Sequence, residues 1–356
     1  MRGDGSTRLL DANQVMPAGK GPVRAMRRFV QAGGFAVSLV WASAIAVSAT
    51  ASAQGDAAAG FPTHPIKVVV GFAPGGSPDL LARVISQKLS ERLKQPVVVE
   101  NRPGAGAILG AEIVSRAAPD GYTLLMAPGS TLSINPAVYS KLPYDAQKSF
   151  EPIALVALWP FLLSVNAGGP IKSVQDLVAW SKANPDKSNY ASASAAFQLA
   201  SELFKMRTGA RFEHIPFKSG GEVVSAILTG QVTMGFADAG PVLPQIRSGK
   251  VRALATTGPS RSPELPDVPT LKEAGVADMI VESYGGLVAP KGTPPGIIQK
   301  LEQETLAVAG MAEVRERISQ MGLVPAGETG KEFSGRVARE IAMWTGVAKA
   351  ANITLD

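Results

Sequence analysis

From residue 66 onward, short apolar runs alternate with apolar positions at helical spacing. Residues 66–71, 97–100 and 122–126 are rich in valine, isoleucine and leucine and predict buried strands. Between the first two, Leu80, Leu81, Val84, Ile85, Leu89 and Leu93 predict a helix over 80–93, and another is predicted over 107–117. Alternating strand and helix predicts a parallel sheet covered on both faces. After a proline-rich loop (Asn135-Pro136, Leu142-Pro143), two apolar segments at 153–158 and 161–165 mark the passage into a second unit. That unit repeats the pattern, with strands at 189–192, 212–216, 233–236 and 251–256 and helices at 174–181, 197–207 and 221–228. An apolar strand at 281–289 leads back, and helices at 295–308, 312–321 and 331–350 close the chain.

The pattern implies an α/β protein of two doubly wound lobes joined by two crossings. Such a pair leaves a cleft that a hinge can close. The first lobe is assigned to residues 60–160 with 283–356, and the second to 161–282.

The N-terminal 53 residues carry a different pattern. From Met26, Arg27-Arg28 precede an apolar run from Phe35 to about Val47, then Ala51-Ser52-Ala53. That is the form of a secretory signal peptide with an Ala-x-Ala cleavage site. The run is short for a membrane span and ends in small residues. Export to a periplasm with cleavage near Ala53 is expected, and residues 1–25 read as an over-extended start before Met26.

Composition changes the picture in two places. Residues 1–53 hold six Lys/Arg and two Asp/Glu, so the remainder has 29 basic and 27 acidic residues and a net charge of +2 instead of +6. The basic balance belongs largely to the leader and gives no reason to expect nucleic acid. The chain has no cysteine, which excludes disulfides, thiol chemistry and lipid attachment at a cysteine.

The chemistry concentrates at the end of the first strand, in Gly71-Phe72-Ala73-Pro74-Gly75-Gly76-Ser77-Pro78-Asp79. Ser77 suits an N-cap, Pro78 the first helical position and Asp79 the positive end of the helix dipole. A loop without side-chain bulk before a helix N-terminus can hold an anion on backbone N–H groups. An ordinary tight strand-to-helix turn would look the same. Nucleotide motifs do not fit, because Ser77 replaces the P-loop lysine and Leu109 the third glycine of the dinucleotide pattern after Gly104 and Gly106.

An enzyme would need a reactive group. The only histidines are His64 and His214, and there is no Gly-x-Ser-x-Gly, no His-Glu-x-x-His and no cysteine nucleophile. Asp238 and Glu282 could be imagined as an acid–base pair, but loop or surface roles fit them better. No catalytic residue, metal site or cofactor is expected, and a cleft hydrolase is a remote alternative.

Six stretches together resemble a known family. They are Phe72-Ala73-Pro74-Gly75-Gly76-Ser77-Pro78-Asp79, Glu100-Asn101-Arg102-Pro103-Gly104-Ala105-Gly106, Pro119-Asp120-Gly121-Tyr122-Thr123-Leu124, Leu142-Pro143-Tyr144-Asp145, Arg252-Ala253-Leu254-Ala255 and Leu265-Pro266-Asp267-Val268-Pro269-Thr270. In this order they resemble the Bug-type periplasmic solute-binding proteins of tripartite tricarboxylate transporter systems, from about Pro62 to the end of the chain.

The resemblance implies a two-lobed type II periplasmic-binding-protein fold, a carboxylate in the cleft and no catalysis. Partners would be membrane permease subunits, with the binder itself a monomer. A co-sensor that presents its ligand to a receptor kinase would carry the same sequence. The resemblance also implies that the first loop, with Phe72, Ala73, Gly75, Gly76, Ser77 and Asp79, holds the ligand's carboxylate through backbone amides and waters.

The second lobe departs from the family. A glycine-rich loop followed by His-Leu is usual there, whereas this chain reads Ala191-Ser192-Ala193-Ser194-Ala195-Ala196-Phe197-Gln198-Leu199. The frequent Phe-Asp-Asn is Phe236-Ala237-Asp238. Hydroxyls at Ser192 and Ser194, the ring of Phe197 and the carboxylate of Asp238 are therefore expected on the far wall, with Ser130 facing the same space. An ionised Asp238 would repel a second carboxylate. A small monocarboxylate, or an aromatic or amino-bearing carboxylate, is expected ahead of citrate or succinate.

Overall fold

The computed structural model describes residues 60–355, and the signal-peptide reading lies outside the described residues. In chain order the first part comprises β1 (Ile66–Val70), α1 (Ser77–Leu93), β2 (Val97–Asn101), α2 (Ile108–Ser115), β3 (Thr123–Pro128), α3 (Asn135–Val138) and β4 (Phe150–Pro160). The second part holds β5 (Leu162–Asn166), α4 (Val174–Ala183), β6 (Asn189–Ser192), α5 (Ala195–Thr208), β7 (Glu213–Pro216), α6 (Gly220–Thr229), β8 (Met234–Ala237), α7 (Ala239–Arg247) and β9 (Val251–Thr256). The chain then returns through β10 (Glu282–Pro290), α8 (Pro295–Ala309), α9 (Ala312–Gln320), β11 (Val324–Thr329) and α10 (Gly330–Ala351).

These strands form two sheets, one ordered β11-β4-β10-β3-β1-β2 and the other β7-β6-β8-β5-β9. Beyond Lys67 and Thr123 the β1 and β3 runs are apolar because both faces of the sheet are covered, and the pleat sorts them. Val68, Val70, Leu124 and Met126 belong to the core that α1 and α8 supply with Leu81, Ile85, Leu89, Ile297 and Leu301. One residue out of step, Val69, Leu125 and Ala127 join the core with Val114 of α2 and Phe333 and Val337 of α10. A one-residue slip of β1 would exchange the two sets. At the strand's end a Cβ on Gly110 would lie 2.8 Å from the Gly71 Cα, so α2 meets the chain backbone to backbone.

Parallel pairing holds in β2-β1-β3 and in β7-β6-β8. The other strands add antiparallel pairs, β11 against β4 among them, so both sheets are mixed. β10 runs antiparallel to β3 and β4, and β5 antiparallel to β8 and β9. Each enters its sheet from the other one without the helical crossover that enforces parallel entry.

Three elements escaped the sequence pattern. α7 contains Gly240, Pro241 and Pro244, which read as a loop. A π-type turn at Ser130–Ile134 runs into α3, where Pro136 sits in the first turn and is tolerated. β11 contains Pro325 and Gly327 and lies at the sheet edge, where its partly exposed residues leave no apolar alternation.

Candidate functional site

The first wall of the site is built at the start of α1. Gly76 is the N-cap and Ser77 the first helical residue, one position earlier than the sequence suggests. No side chain caps this helix, so its first N–H groups are left for another acceptor. Gly75, at φ +91°, makes the turn that admits them.

Behind the turn lies Asp79, only 1% exposed. Its Oδ2 accepts from Gly75 N–H at 2.9 Å and from Arg83 Nε at 3.1 Å, and its Oδ1 accepts from Asn101 Nδ2 at 2.9 Å. Asn101 Nδ2 also donates to the Phe72 carbonyl at 3.0 Å. Burial alone would raise the Asp79 carboxyl, but the bonds from Arg83, Gly75 and Asn101 prevail and hold it below its usual value. The expectation that Asp79 meets a ligand is thereby corrected. Its oxygens are occupied within the protein, and it fixes the loop from below. The Gly75 N–H is likewise spent on Asp79.

The second wall comes from the loops after β6 and β8. Ser194 is the N-cap of α5 and Asp238 the N-cap of α7, and neither side chain accepts from its own helix. For Asp238 the sequence gives a reason. An N-cap carboxylate accepts from the second or third helical N–H, and the third helical residue of α7 is Pro241, which has none. Helices elsewhere do use their caps, as Ser173, Ser219 and Thr329 show. Asp238 Oδ1 is buried without a hydrogen-bond partner, and burial pushes the carboxyl up to about 6.

These walls enclose a cleft of about 270 Å³. Phe72, Gly76, Ser77, Ser130, Ser194, Phe197 and Asp238 all line it. Ala73 and Gly75 do not, and lie on the exposed outer side of the loop. Ser192 does not either, which corrects its expected place on the wall. It is 4% exposed and its Oγ bonds His214 Nε2 at 2.7 Å. His214 stacks on Tyr190, whose hydroxyl donates to Glu202 Oε1 at 2.7 Å. Burial lowers the His214 imidazole below its ordinary range, which keeps this support neutral.

Pro128, Trp159, Phe161 and Ser283 also line the cleft and were not foreseen. Phe161 meets Phe197 edge to face with ring centroids 4.8 Å apart, so the crossing itself supplies the apolar floor. The aromatic pair flanking Pro160 was the available signal. A second cavity of about 390 Å³ shares Phe197 and Asp238 and is also lined by Lys218 and Ser219. Among the residues lining the first cleft, Asp238 is the one ionisable side chain.

Chemically, the first wall offers bare helix N–H groups and the Ser77 hydroxyl, and the second offers the Ser194 hydroxyl and a carboxylate. That set can hold a small polar molecule and carries no nucleophile activated by a base. Among the described residues no group of His, Asp and Glu is arranged to hold a metal, and no helix is long and apolar enough to cross a membrane.

Comparison with known proteins gives the same picture. The sequence pattern of the tripartite tricarboxylate transporter family receptor matches residues 81–353. Protein BugT of Bordetella pertussis is 36% identical over 298 residues, covering 83% of this chain and 91% of that protein. The solved structure of R. palustris Rpa4515 with adipate is 32% identical with a TM-score of 0.74, covering 83% of this chain and 99% of that one. MatC from Rhodopseudomonas palustris with bound malate is 32% identical with a TM-score of 0.70, covering 81% and 99%. With its two mixed sheets and the cleft between them, this chain belongs to the Bug-type receptor family of tripartite tricarboxylate transporters, a family of periplasmic solute-binding proteins.

Proposed function

We propose that this protein captures a small carboxylate in the cleft and delivers it, chemically unchanged, to permease subunits of a tripartite transporter. The observation that carries the reading is the convergence of two helix N-termini, those of α1 and α5, on one cleft without side-chain caps. Helix N-termini favour anions through free N–H groups and the helix dipole. No Lys or Arg lines the cleft, so the carboxylate is held by main chain and hydroxyls. The adipate and malate in the two related structures are carboxylates of the same class.

In this reading residues 60–160 with 283–356 form one lobe and 161–282 the other, and ligand closes them about the crossings. The protein acts as a monomer in the periplasm after cleavage near Ala53. Thermal-shift screening of the mature protein against a panel of carboxylic acids tests the function. A ligand at a hundred times its dissociation constant adds roughly 2.7 kcal/mol of stability, a visible shift. Silence across the whole panel would overturn the reading, as would recovery of a chemically altered ligand.

A further inference from the structure

We propose that Asp238 makes this cleft selective for a carboxylate that carries an ammonium group at its other end, over a dicarboxylate of the same length. The inference rests on the carboxylate-capture reading above and goes one step further, to the class of ligand.

The two walls are chemically unequal. The α1 wall presents Gly76 and Ser77 with free N–H groups, which suit an anion. The opposite wall presents Asp238 at the N-terminus of α7, where its carboxylate takes the place an anion would occupy and has no ion-pair partner among the described residues. Its Oδ1 is buried with no hydrogen-bond partner, and Pro241 has removed one of the two donors an N-cap carboxylate would take from its own helix. No salt bridge to Asp238 forms among the described residues. Buried charges are ordinarily paired, and an unpaired one costs free energy that an incoming cation recovers. A second carboxylate at this wall would meet a like charge and raise that cost.

The charged groups on the neighbouring α6 segment do not change the sign. Glu222 accepts from the Lys218 backbone N–H at 3.0 Å, and the Lys218 side chain is exposed, lining the adjoining cavity. A longer dicarboxylate could reach past Asp238 to Lys218, and the experiment includes that outcome. Burial already pushes the Asp238 carboxyl up to about 6, so at neutral pH it is ionised and able to receive an ammonium.

The test is calorimetry at pH 7.5 on the mature protein with pairs of equal carbon count, 4-aminobutanoate with succinate and 6-aminohexanoate with adipate. Butanoate and hexanoate serve as one-ended controls. The expected result is an amino acid that binds at least tenfold tighter than its dicarboxylate partner. Asp238→Asn should erase that preference, since Asn keeps the shape and removes the charge.

Succinate or adipate binding as tightly as its amino partner in the unmodified protein overturns the proposal and leaves carboxylate capture standing. A preference unchanged in Asp238→Asn also overturns it, because the selectivity then lies elsewhere. Absence of binding by all six probes and by the wider acid panel removes both readings together. If Asp238→Asn fails to fold, the comparison in the unmodified protein still decides, with Asp238→Ser as the second variant.

Discussion

Phe161 and Thr257 tie the two crossings of the chain to each other. The Phe161 N–H donates to Thr257 Oγ1 at 2.8 Å, and the Thr257 N–H donates to the Phe161 carbonyl at 2.9 Å. The Thr257 carbonyl in turn accepts from Val281 N–H at 3.0 Å, and its hydroxyl donates to the Val281 carbonyl. One fully buried side chain thus holds the outgoing strand and the returning strand at the same point. Because Phe161 also lines the cleft, this clasp sits where ligand and crossing meet.

Thr257→Val keeps the volume and removes the hydroxyl. It leaves the Phe161 N–H and the Val281 carbonyl buried without that partner, at a cost of about 1–3 kcal/mol. We predict this loss in urea denaturation, together with a larger radius of gyration by small-angle scattering for the ligand-bound variant. Unchanged stability would show that the backbone bonds alone hold the crossings.

Asp79 predicts a different kind of loss. Its carboxyl is held below the ordinary value, so its contribution is present above the unfolded pKa and is lost as pH falls through the folded one. Asp79→Asn should therefore destabilise at pH 7 by about 2–3 kcal/mol, and the gap to the unmodified protein should narrow below pH 4. Thermal melts across that range check both. Binding should weaken as well, since the loop that presents Gly76 loses its anchor, and a variant that binds normally would show the loop to be rigid on its own.

Adjacent glycines should respond in opposite ways. Gly76 has ordinary φ and only Pro78 Cδ and the Ala73 carbonyl, 3.8 and 3.9 Å from an added Cβ, nearby. Gly76→Val should fold normally and weaken carboxylate binding at least tenfold, because its side chain projects from a residue of the cleft wall. Gly75 sits at φ +91°, where a branched side chain is strained, so Gly75→Val should lower stability by roughly 1–3 kcal/mol. Calorimetry with the best panel ligand and melts of both variants separate the two effects.

Much of the fold was legible because its strands bury both faces and its main helices keep a clean apolar stripe. β1, α1, β3 and the return strand β10 follow directly from such runs. α7 was not legible, since Pro241 and Pro244 outvote the pattern locally while burial of Val242 in the core carries the helix. The site was half legible. Ser77, Phe197 and Asp238, expected at the cleft, do line it, but residue type alone cannot say where a side chain turns. Asp79 and Ser192 have the right chemistry and turn inward, to Gly75 and to His214. Trp159 lay outside every predicted segment and Phe161 only marked a crossing, yet both are buried side chains that also line the cleft.

The last prediction concerns a carboxyl outside the cleft. Glu340 is buried beside Ser133, and its Oε1 lies 3.7 Å from Arg336 Nη1, too far for a strong ion pair. Arg336 already has a better partner in Glu328, with Nε 3.1 Å from both carboxylate oxygens. Burial therefore dominates and pushes the Glu340 carboxyl up to about 7, against the weaker pull of Ser133 and Arg336. A raised carboxyl binds its proton more tightly in the folded state, so stability falls as pH rises between the unfolded pKa near 4.5 and the folded one near 7. Glu340→Gln keeps a neutral side chain at every pH. It should match the unmodified protein near pH 4 and be more stable at pH 8, by up to roughly 3 kcal/mol. Denaturation midpoints at both pH values check this. A variant less stable at pH 8 would mean that the carboxylate is ionised and firmly paired with Arg336, the reverse of the balance argued from its distance.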